Sequence, residues 1–564
     1  MNFNRILNSQ TKTVTFAAIL LGISSGISSI LGLVRDGLLA GYFGAWGETN
    51  PYFAAFTIND FFYNLLIVGG LVVAFLPLFS EYYSKDKEKA WEMTNYILNT
   101  FLFLLIIASL FIFAFSPQLV KIVAPGFAPD QRALTANLIR VMILSPIFFG
   151  LSSIFSGILQ YFNRFLVYSI IPIIYNLGII FGILVLSPHL GIIGVGIGVT
   201  VGAAFYFLFQ IPSVINCGFK YRSLFNLKYP AIKRIFYLAL PRLFSITSQQ
   251  INLIIITAIA STIVGGITIF NFANNIQYFP IGIFAIPFAI AAFPTLSKYW
   301  ARNQKSEFLE NFSSILRQIL FLMIPVSLFI FILRAQIVRL ILGTLGETGK
   351  FDWAATQLTA ASLGLFSIGI LGTALIPFIS RAFFSLQDTK TPTIIAILSV
   401  VLNIILSFSL VWLLRFPNFF QYFIVRSLKL EGIEDLYKIS IIGLPLAFSI
   451  VAIFQLILLS VSFYKRIGNF KLKEILSSIL KFSIFTILSA FVCYKTLYFV
   501  DNFVDTDKVV GLFLQTISAL FAGLLFYFLP AFFLKFPELF IFISSFKKQF
   551  RKGIITQEIE VMEP

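Results

Sequence analysis

The chain has 564 residues, 58% of them hydrophobic and 12% charged, with a mean hydropathy of +0.93 and a formal net charge of +17. A soluble fold of this size cannot hide so much apolar surface, which excludes a water-soluble globular protein and places the chain in a bilayer. The apolar runs are continuous rather than alternating, which excludes a β-barrel and leaves an all-α polytopic membrane protein.

A hydrocarbon layer about 30 Å thick asks for roughly 20 apolar residues per helix. In chain order such runs fall at about 14–42, 51–79, 94–116, 133–160, 166–187, 190–216, 232–262, 266–297, 311–343, 356–386, 392–415, 439–464, 475–500 and 510–537, or about 14 transmembrane helices. The first run has no small-residue cleavage pattern and reads as a spanning helix, not a removable signal. With the N-terminus inside, the inside segments gather most of the basic residues, among them Lys85, Lys87, Lys89, Lys220, Arg222, Lys228, Lys465, Arg466, Lys547 and Lys548. That bias puts both termini on the cytoplasmic side of an inner membrane, and an even helix count agrees. It also accounts for the excess charge with no nucleic-acid partner, because the basic residues are split among short loops.

The runs repeat. Phe75-Leu76-Pro77-Leu78-Phe79-Ser80, at the end of the second, is echoed by Phe293-Pro294-Thr295-Leu296-Ser297 at the end of the eighth, an offset of 294 − 77 = 217 residues. Pro172 and Asn176 in the fifth face Pro392 and Asn403 in the eleventh, an offset of 403 − 176 = 227 for the asparagines. Two six-helix lobes in parallel pseudo-repeat are therefore expected, at 1–230 and 231–470, then two extra helices at 471–540 and a cytoplasmic tail at 541–564. Parallel repeats about an axis along the membrane normal are a transporter architecture.

Chemistry-bearing motifs are sparse. Cys217 and Cys493 have no metal-ligand spacing and read as apolar filler. His189 follows Ser187-Pro188 in a short turn. The sequence has no phosphate-cradling glycine loop and no recognisable Ser/His/Asp set, so neither an enzyme nor an ATP-driven pump is expected. No cofactor or metal is expected. An ion gradient, the membrane potential or consumption of product would have to supply the drive.

Charges inside the runs are the remaining clue, because an ionisable group in hydrocarbon costs several kcal/mol unless it meets water or a partner. Arg35-Asp36 lies deep in the first run among Gly22, Gly26, Gly32, Gly37 and Gly41. Either Arg35 faces a central cavity, where it could hold a phosphate through two donors, or it simply pairs with its neighbour near a helix end. Asp60, with Asn59 and Asn64, faces the lobe interface or serves helix packing. Arg140 and Arg242 read as interfacial.

The run Leu31-Gly32-Leu33-Val34-Arg35-Asp36, then Phe43-Gly44, Ala54-Ala55-Phe56, Phe75-Leu76-Pro77, Val123-Ala124-Pro125-Gly126-Phe127, Asn163-Arg164-Phe165 and above all Arg381-Ala382-Phe383-Phe384-Ser385-Leu386-Gln387-Asp388-Thr389-Lys390-Thr391-Pro392 resembles the MurJ/MviN family. The matches keep their order across at least residues 30–403. The resemblance implies two six-helix lobes plus two extra helices, in the multidrug/oligosaccharidyl-lipid/polysaccharide exporter superfamily. It implies a flippase for lipid II, the undecaprenyl-pyrophosphate-linked peptidoglycan precursor, working by alternating access with cavity arginines on the diphosphate. The two extra helices would supply a groove for the lipid tail. Membrane lipids and cell-wall synthesis enzymes are the other partners it implies.

Against the family pattern, Ser29 replaces an arginine, Asn50 a cavity aspartate, Tyr63-Asn64 an arginine pair, and Asn274-Asn275 an Asp-Arg. Ile256 stands where many relatives carry an aspartate tied to sodium, so coupling to sodium or to membrane potential is open. The expected substrate-binding set is Arg35, Asp36, Asn50, Asp60, Asn274 and Asn275. Arg381 and Asp388 are expected as gating or helix-end charges, with Asp-Thr-x-Thr-Pro equally able to cap the following helix. Three functions remain: a lipid II flippase with a less charged cavity; a flippase for another lipid-linked glycan or a cation-coupled exporter of amphiphiles; and a transport-inactive scaffold for cell-wall enzymes.

Overall fold

The computed structural model describes residues 14–65, 72–344, 350–430, 432–433, 435–541 and 543–544. Its long helices are α1 (Val14–Phe43), α2 (Thr49–Tyr63), α3 (Val72–Lys85), α4 (Lys87–Val123), α5 (Pro129–Met142), α6 (Leu144–Tyr161), α7 (Phe165–Phe181), α8 (Ile192–Leu208), α9 (Pro230–Ser261), α10 (Gly266–Pro280), α11 (Ile286–Ala301), α12 (Lys305–Leu342), α13 (Trp353–Ser385), α14 (Lys390–Leu414), α15 (Gly443–Ile467), α16 (Leu472–Asp501) and α17 (Val509–Phe533). Twelve spans among the described residues are long and apolar enough to cross a bilayer. The expected runs at 51–79 and 232–262 are not among those twelve. The first maps onto α2 and α3 with the undescribed 66–71 between them; the second is the 32-residue α9, about 48 Å long. The expected tail beyond residue 544 lies outside the described residues.

Local chemistry sets the helix ends. The Asp86 carboxylate accepts from the amides of Glu88 at 2.9 Å and Lys89 at 3.2 Å to start α4, and Asp352 accepts from Ala355 at 2.8 Å to start α13. Proline opens α5 and α9, where its missing N–H would have no helical partner in any case. Asn163, Asn303 and Gln387 turn left-handed just past α6, α11 and α13.

The repeat is visible in the structure. Pro77 sits inside α3 and Pro294 inside α11. Asn64 and Leu65 at the end of α2 enter a wider π turn, and the segment Ile281–Ala285 after α10 does the same, at 281 − 64 = 217 residues. The paired asparagines also do matching jobs. Asn176 on α7 donates to Ser28 Oγ on α1 at 3.1 Å, while Asn403 on α14 donates to Asn252 Oδ1 on α9 at 3.1 Å. Each ties the fifth expected helix of its lobe to the first. With no hydrophobic force between helices in lipid, such bonds and close packing hold the bundle. The close packing shows best between α7 and α8, where a Cβ on Gly182 would sit 2.7 Å from Gly198 Cα, and Gly178 meets Gly202 in the same way.

Gly178→Val should therefore wedge α7 from α8 and destabilise the fold by about 3 kcal/mol, read as a lowered Tm in detergent. Gly26→Ala, where a Cβ meets nothing within 4 Å, should leave Tm unchanged or slightly raised.

Candidate functional site

Arg35 and Asp36 lie on the last third of α1, and the structure forms the neighbour pair that was one of the two expectations. Arg35 donates to Asp36 Oδ1 through Nε at 3.0 Å and Nη2 at 2.8 Å. It also donates through Nη1 to Asn176 Oδ1 on α7 at 3.3 Å. Asp36 is 2% exposed, and its other oxygen accepts from Asn275 Nδ2 on α10 at 2.8 Å. One carboxylate is thus held by α1 and, across the molecule, by α10. Asn176 keeps its own place by donating to Ser28 and to the Pro172 carbonyl. Of the five N–H groups on a guanidinium, three are engaged, and two remain on a side chain that is 21% exposed.

Asp60 on α2 is exposed, although it sits in the middle of a run that should cross the bilayer. It is within Coulombic reach of Arg35 and of Tyr63 and Tyr175. Tyr52, 2% exposed, is a further charge-range neighbour of Arg35. Phe149 fills the centre of an aromatic wall, with Tyr175, Tyr206 and Tyr63 at ring-centroid distances of 5.1, 5.1 and 5.5 Å. None of these tyrosines was singled out by the sequence, because in a chain that is 17% aromatic nothing in spacing alone marks the rings that meet.

On α10, Asn274 accepts from Gln277 Nε2 at 3.0 Å. Asn274, Tyr278 and Gly282 follow one face at steps of four. Tyr278 is 44% exposed and a Cβ on Gly282 would meet nothing within 4 Å, so that face borders open space. The arrangement gathers Arg35, Asp36, Asp60, Asn275 and the tyrosines, with Asn274 one residue away. It holds one guanidinium and two carboxylates.

Asn50 stands apart from this group. Its side chain donates to the Ala45 carbonyl at 2.8 Å and accepts from the Thr268 amide at 3.1 Å, and it is 3% exposed. Gly265 cannot cap α10 with a side chain, and Asn50 of α2 supplies that acceptor from across the molecule. It is a cross-molecule cap, set apart from the group around Arg35. Ile256 is buried at 3% in the apolar core. Arg381, near the end of α13, is partly buried and has no hydrogen bond or ion pair among the described residues. Asp388 caps α14, accepting from the Thr391 amide at 3.0 Å and hydroxyl at 2.8 Å. Partial burial would raise its carboxyl, but those two bonds, Arg466 and the Lys390 amide outweigh burial and hold it below the usual carboxylate range. Among the described residues no three His, Cys, Asp or Glu side chains converge on a metal position.

Two ends frame the site. At the far end, where α1 leads into α2, Trp46 Nε1 donates to Asp352 Oδ2 at 2.8 Å, the Gly126 amide to Ser261 Oγ at 3.1 Å, and Thr57 meets Thr257 at 3.3 Å. Gly126 lies against the backbone of Ser261 and Thr262 so closely that any Cβ would collide. At the opposite, basic end, Arg234 of α9 pairs with Glu81 of α3 at 2.7 Å, with both side chains well exposed. Near that end an apolar groove of about 280 Å³ runs between α12, α13, α15 and α16, with Leu316, Leu375, Leu456 and Ile479 in its walls.

The model of the family "Lipid II flippase MurJ" matches residues 39–518. A probable lipid II flippase MurJ of Buchnera aphidicola subsp. Acyrthosiphon pisum is 28% identical over 505 residues, 88% of this chain and 92% of that protein. The lipid II flippase MurJ of Burkholderia cenocepacia is 28% identical over 381 residues, 66% of this chain and 73% of that protein. A solved structure of lipid II flippase MurJ in an inward closed conformation superposes with a TM-score of 0.72 at 26% identity, over 92% of this chain and 99% of that one. An inward-facing multidrug resistance transporter of the MATE family and MOP superfamily shares the fold, with a TM-score of 0.60 at 14% identity over 80% of this chain and 99% of that one.

Arg35→Ala leaves Asp36 buried with a single amide donor and should lower stability by about 3–5 kcal/mol. The double change Arg35→Ala with Asp36→Asn should recover most of that loss, as read by Tm. For Asp388 the folded-state value lies below the unfolded one, so its cap is in force above the ordinary carboxylate range and fades as pH falls through the folded-state value. Asp388→Asn, which keeps an acceptor but not the charge, should accordingly lower Tm at pH 7, and the difference from the unaltered chain should shrink as pH falls through the folded-state value.

Proposed function

The chain belongs to the lipid II flippase MurJ family, and from that membership and the geometry around Arg35 we infer that it is a multi-pass transporter that moves lipid II across the bacterial inner membrane by alternating access. The observation that carries the chemistry is the pair of N–H groups on Arg35 left unengaged by Asp36 and Asn176. They offer a diphosphate oxygen two charge-assisted bonds without first breaking the Arg35–Asp36 pair. Asp60 opposes an anion, so the tyrosine and asparagine side chains must carry much of the recognition of a head group rich in hydroxyls and amides. That balance favours a neutral sugar and peptide portion docked against aromatic faces, with the phosphates at Arg35.

A diphosphate sugar cannot cross hydrocarbon unaided, and the groups around Arg35 would supply donors in place of water while the tail stays in lipid. The apolar groove beside α16 suits a stretch of that tail. The basic end is read as cytoplasmic by its lysine and arginine excess, which puts both termini inside and the far-end seam on the periplasmic side. In this state the far end is joined by buried polar contacts and the basic end by an exposed ion pair, a bias toward opening inward first. The π turns at equivalent depths in the two lobes are natural hinges for the exchange.

The chain is expected to restore growth and lipid II translocation in cells depleted of their own MurJ. The Arg35→Ala, Asp36→Asn double variant should insert at normal levels and yet fail to translocate. Rescue by that double variant would remove Arg35 from the mechanism, and failure of the unaltered chain, assayed directly on lipid II, would overturn the substrate.

A further inference from the structure

Away from the Arg35 site, the basic end holds a cavity of about 360 Å³, formed by α12, the first turns of α16 and the segment after α17. Arg317, Lys473, Glu474, Ser477, Lys481 and Glu538 line it. Lys473, Ser477 and Lys481 recur every four residues and so share one face of α16. Leu472, Ile475, Leu476 and Ile479, on the same turns, line the apolar groove instead. A lysine at position 481 lies about 13 Å along a helix that otherwise suits hydrocarbon, where an ammonium is costly unless something anionic or aqueous meets it.

The carboxylates of the cavity have cations already. Arg317 stands 3.6 Å from Glu474 Oε2 and 3.6 Å from Glu538 Oε1, and Lys471 stands 3.8 Å from Glu474 Oε1. Glu538 is 4% exposed, so its charge is directed into this wall. Arg317 Nε is buried with no hydrogen-bond partner in the structure. Lys473 and Lys481 have no ion pair among the described residues. Three cations against two engaged carboxylates leave the cavity with a net positive charge and with donors facing inward. From its rim, exposed apolar side chains run on along α16, Leu480 at 64%, Ile484 at 49% and Leu488 at 54%. A charged pocket continuous with an apolar stripe matches one kind of molecule, a phosphate carrying acyl chains.

We propose that this cavity binds the phosphate head group of an anionic glycerophospholipid from the leaflet at the basic end, with its acyl chains along the exposed face of α16. The site rests on the chain's lying in a bilayer and not on what it transports, so it stands or falls separately from the flippase reading.

The test uses the full-length chain purified in dodecyl maltoside, stripped of lipid, and titrated with phosphatidylglycerol, phosphatidylcholine or inorganic phosphate, with binding read by native mass spectrometry and by the shift in Tm. Phosphatidylglycerol should bind saturably and raise Tm, and the other two should not. Lys473→Gln with Lys481→Gln should weaken phosphatidylglycerol about 20-fold while leaving the lipid-free Tm unchanged, and Lys473→Arg with Lys481→Arg should keep binding within about threefold. Equal binding of phosphatidylcholine, an equal shift with inorganic phosphate alone, or an unweakened glutamine variant would each overturn the proposal. Should the glutamine variant not fold, the salt dependence of the unaltered chain decides. Affinity for phosphatidylglycerol falling as ionic strength rises supports the site, and indifference to salt refutes it.

Discussion

The Asp36 carboxylate is where the two halves of the molecule share a charge. It is buried, bound on one oxygen by Arg35 of its own helix and on the other by Asn275 of α10. A buried carboxylate tolerates neither the loss of its cation nor full exposure to hydrocarbon. Its placement therefore fixes α1 against α10, and through Asn176 it fixes α7 as well. The orientation in which Arg35 is held follows from that one group. Where the family pattern has more charges, this chain has amides and phenols, and it still holds its one guanidinium in a defined orientation.

Much of this was legible in the sequence, for reasons that can be given residue by residue. Continuous apolar runs can only be helices in lipid, so the fold class followed from composition. The duplicated proline and asparagine positions were readable because each has a local role. Pro77 and Pro294 sit within helices at matched places, and Asn176 and Asn403 tie matched helix pairs. The Ala-Pro-Gly-Phe stretch also has a physical cause, since Gly126 passes against the end of α9 with no room for a side chain. The capping role of Asn50 was not legible because its acceptor serves an amide 218 residues away, which no spacing rule anticipates. The tyrosine wall was missed for the same reason: ring contacts between α2, α6, α7 and α8 exist once the helices are packed. The Asp388 motif allowed two readings, and the structure takes the capping one.

The two ends are fastened by different physics. At the basic end an exposed Arg234–Glu81 pair contributes little, because water and salt screen it. At the far end the Asn50–Thr268 bond is buried, the Gly126–Ser261 bond is half-buried and the Trp46–Asp352 bond is exposed, and Lys438 lies 4.6 Å over the Trp46 ring.

The far-end seam also sets how strongly the empty molecule favours one closed end. Each of its polar joints is worth about 0.5–1.5 kcal/mol, so together they bias the resting population toward the state closed at this end. A much stronger seam would trap cargo on the wrong side, and a much weaker one would flicker open when empty and let protons through. The bare α-carbon of Gly126 is in this sense an insulating gasket, thin enough to seal against Ser261 and Thr262 without welding the halves together.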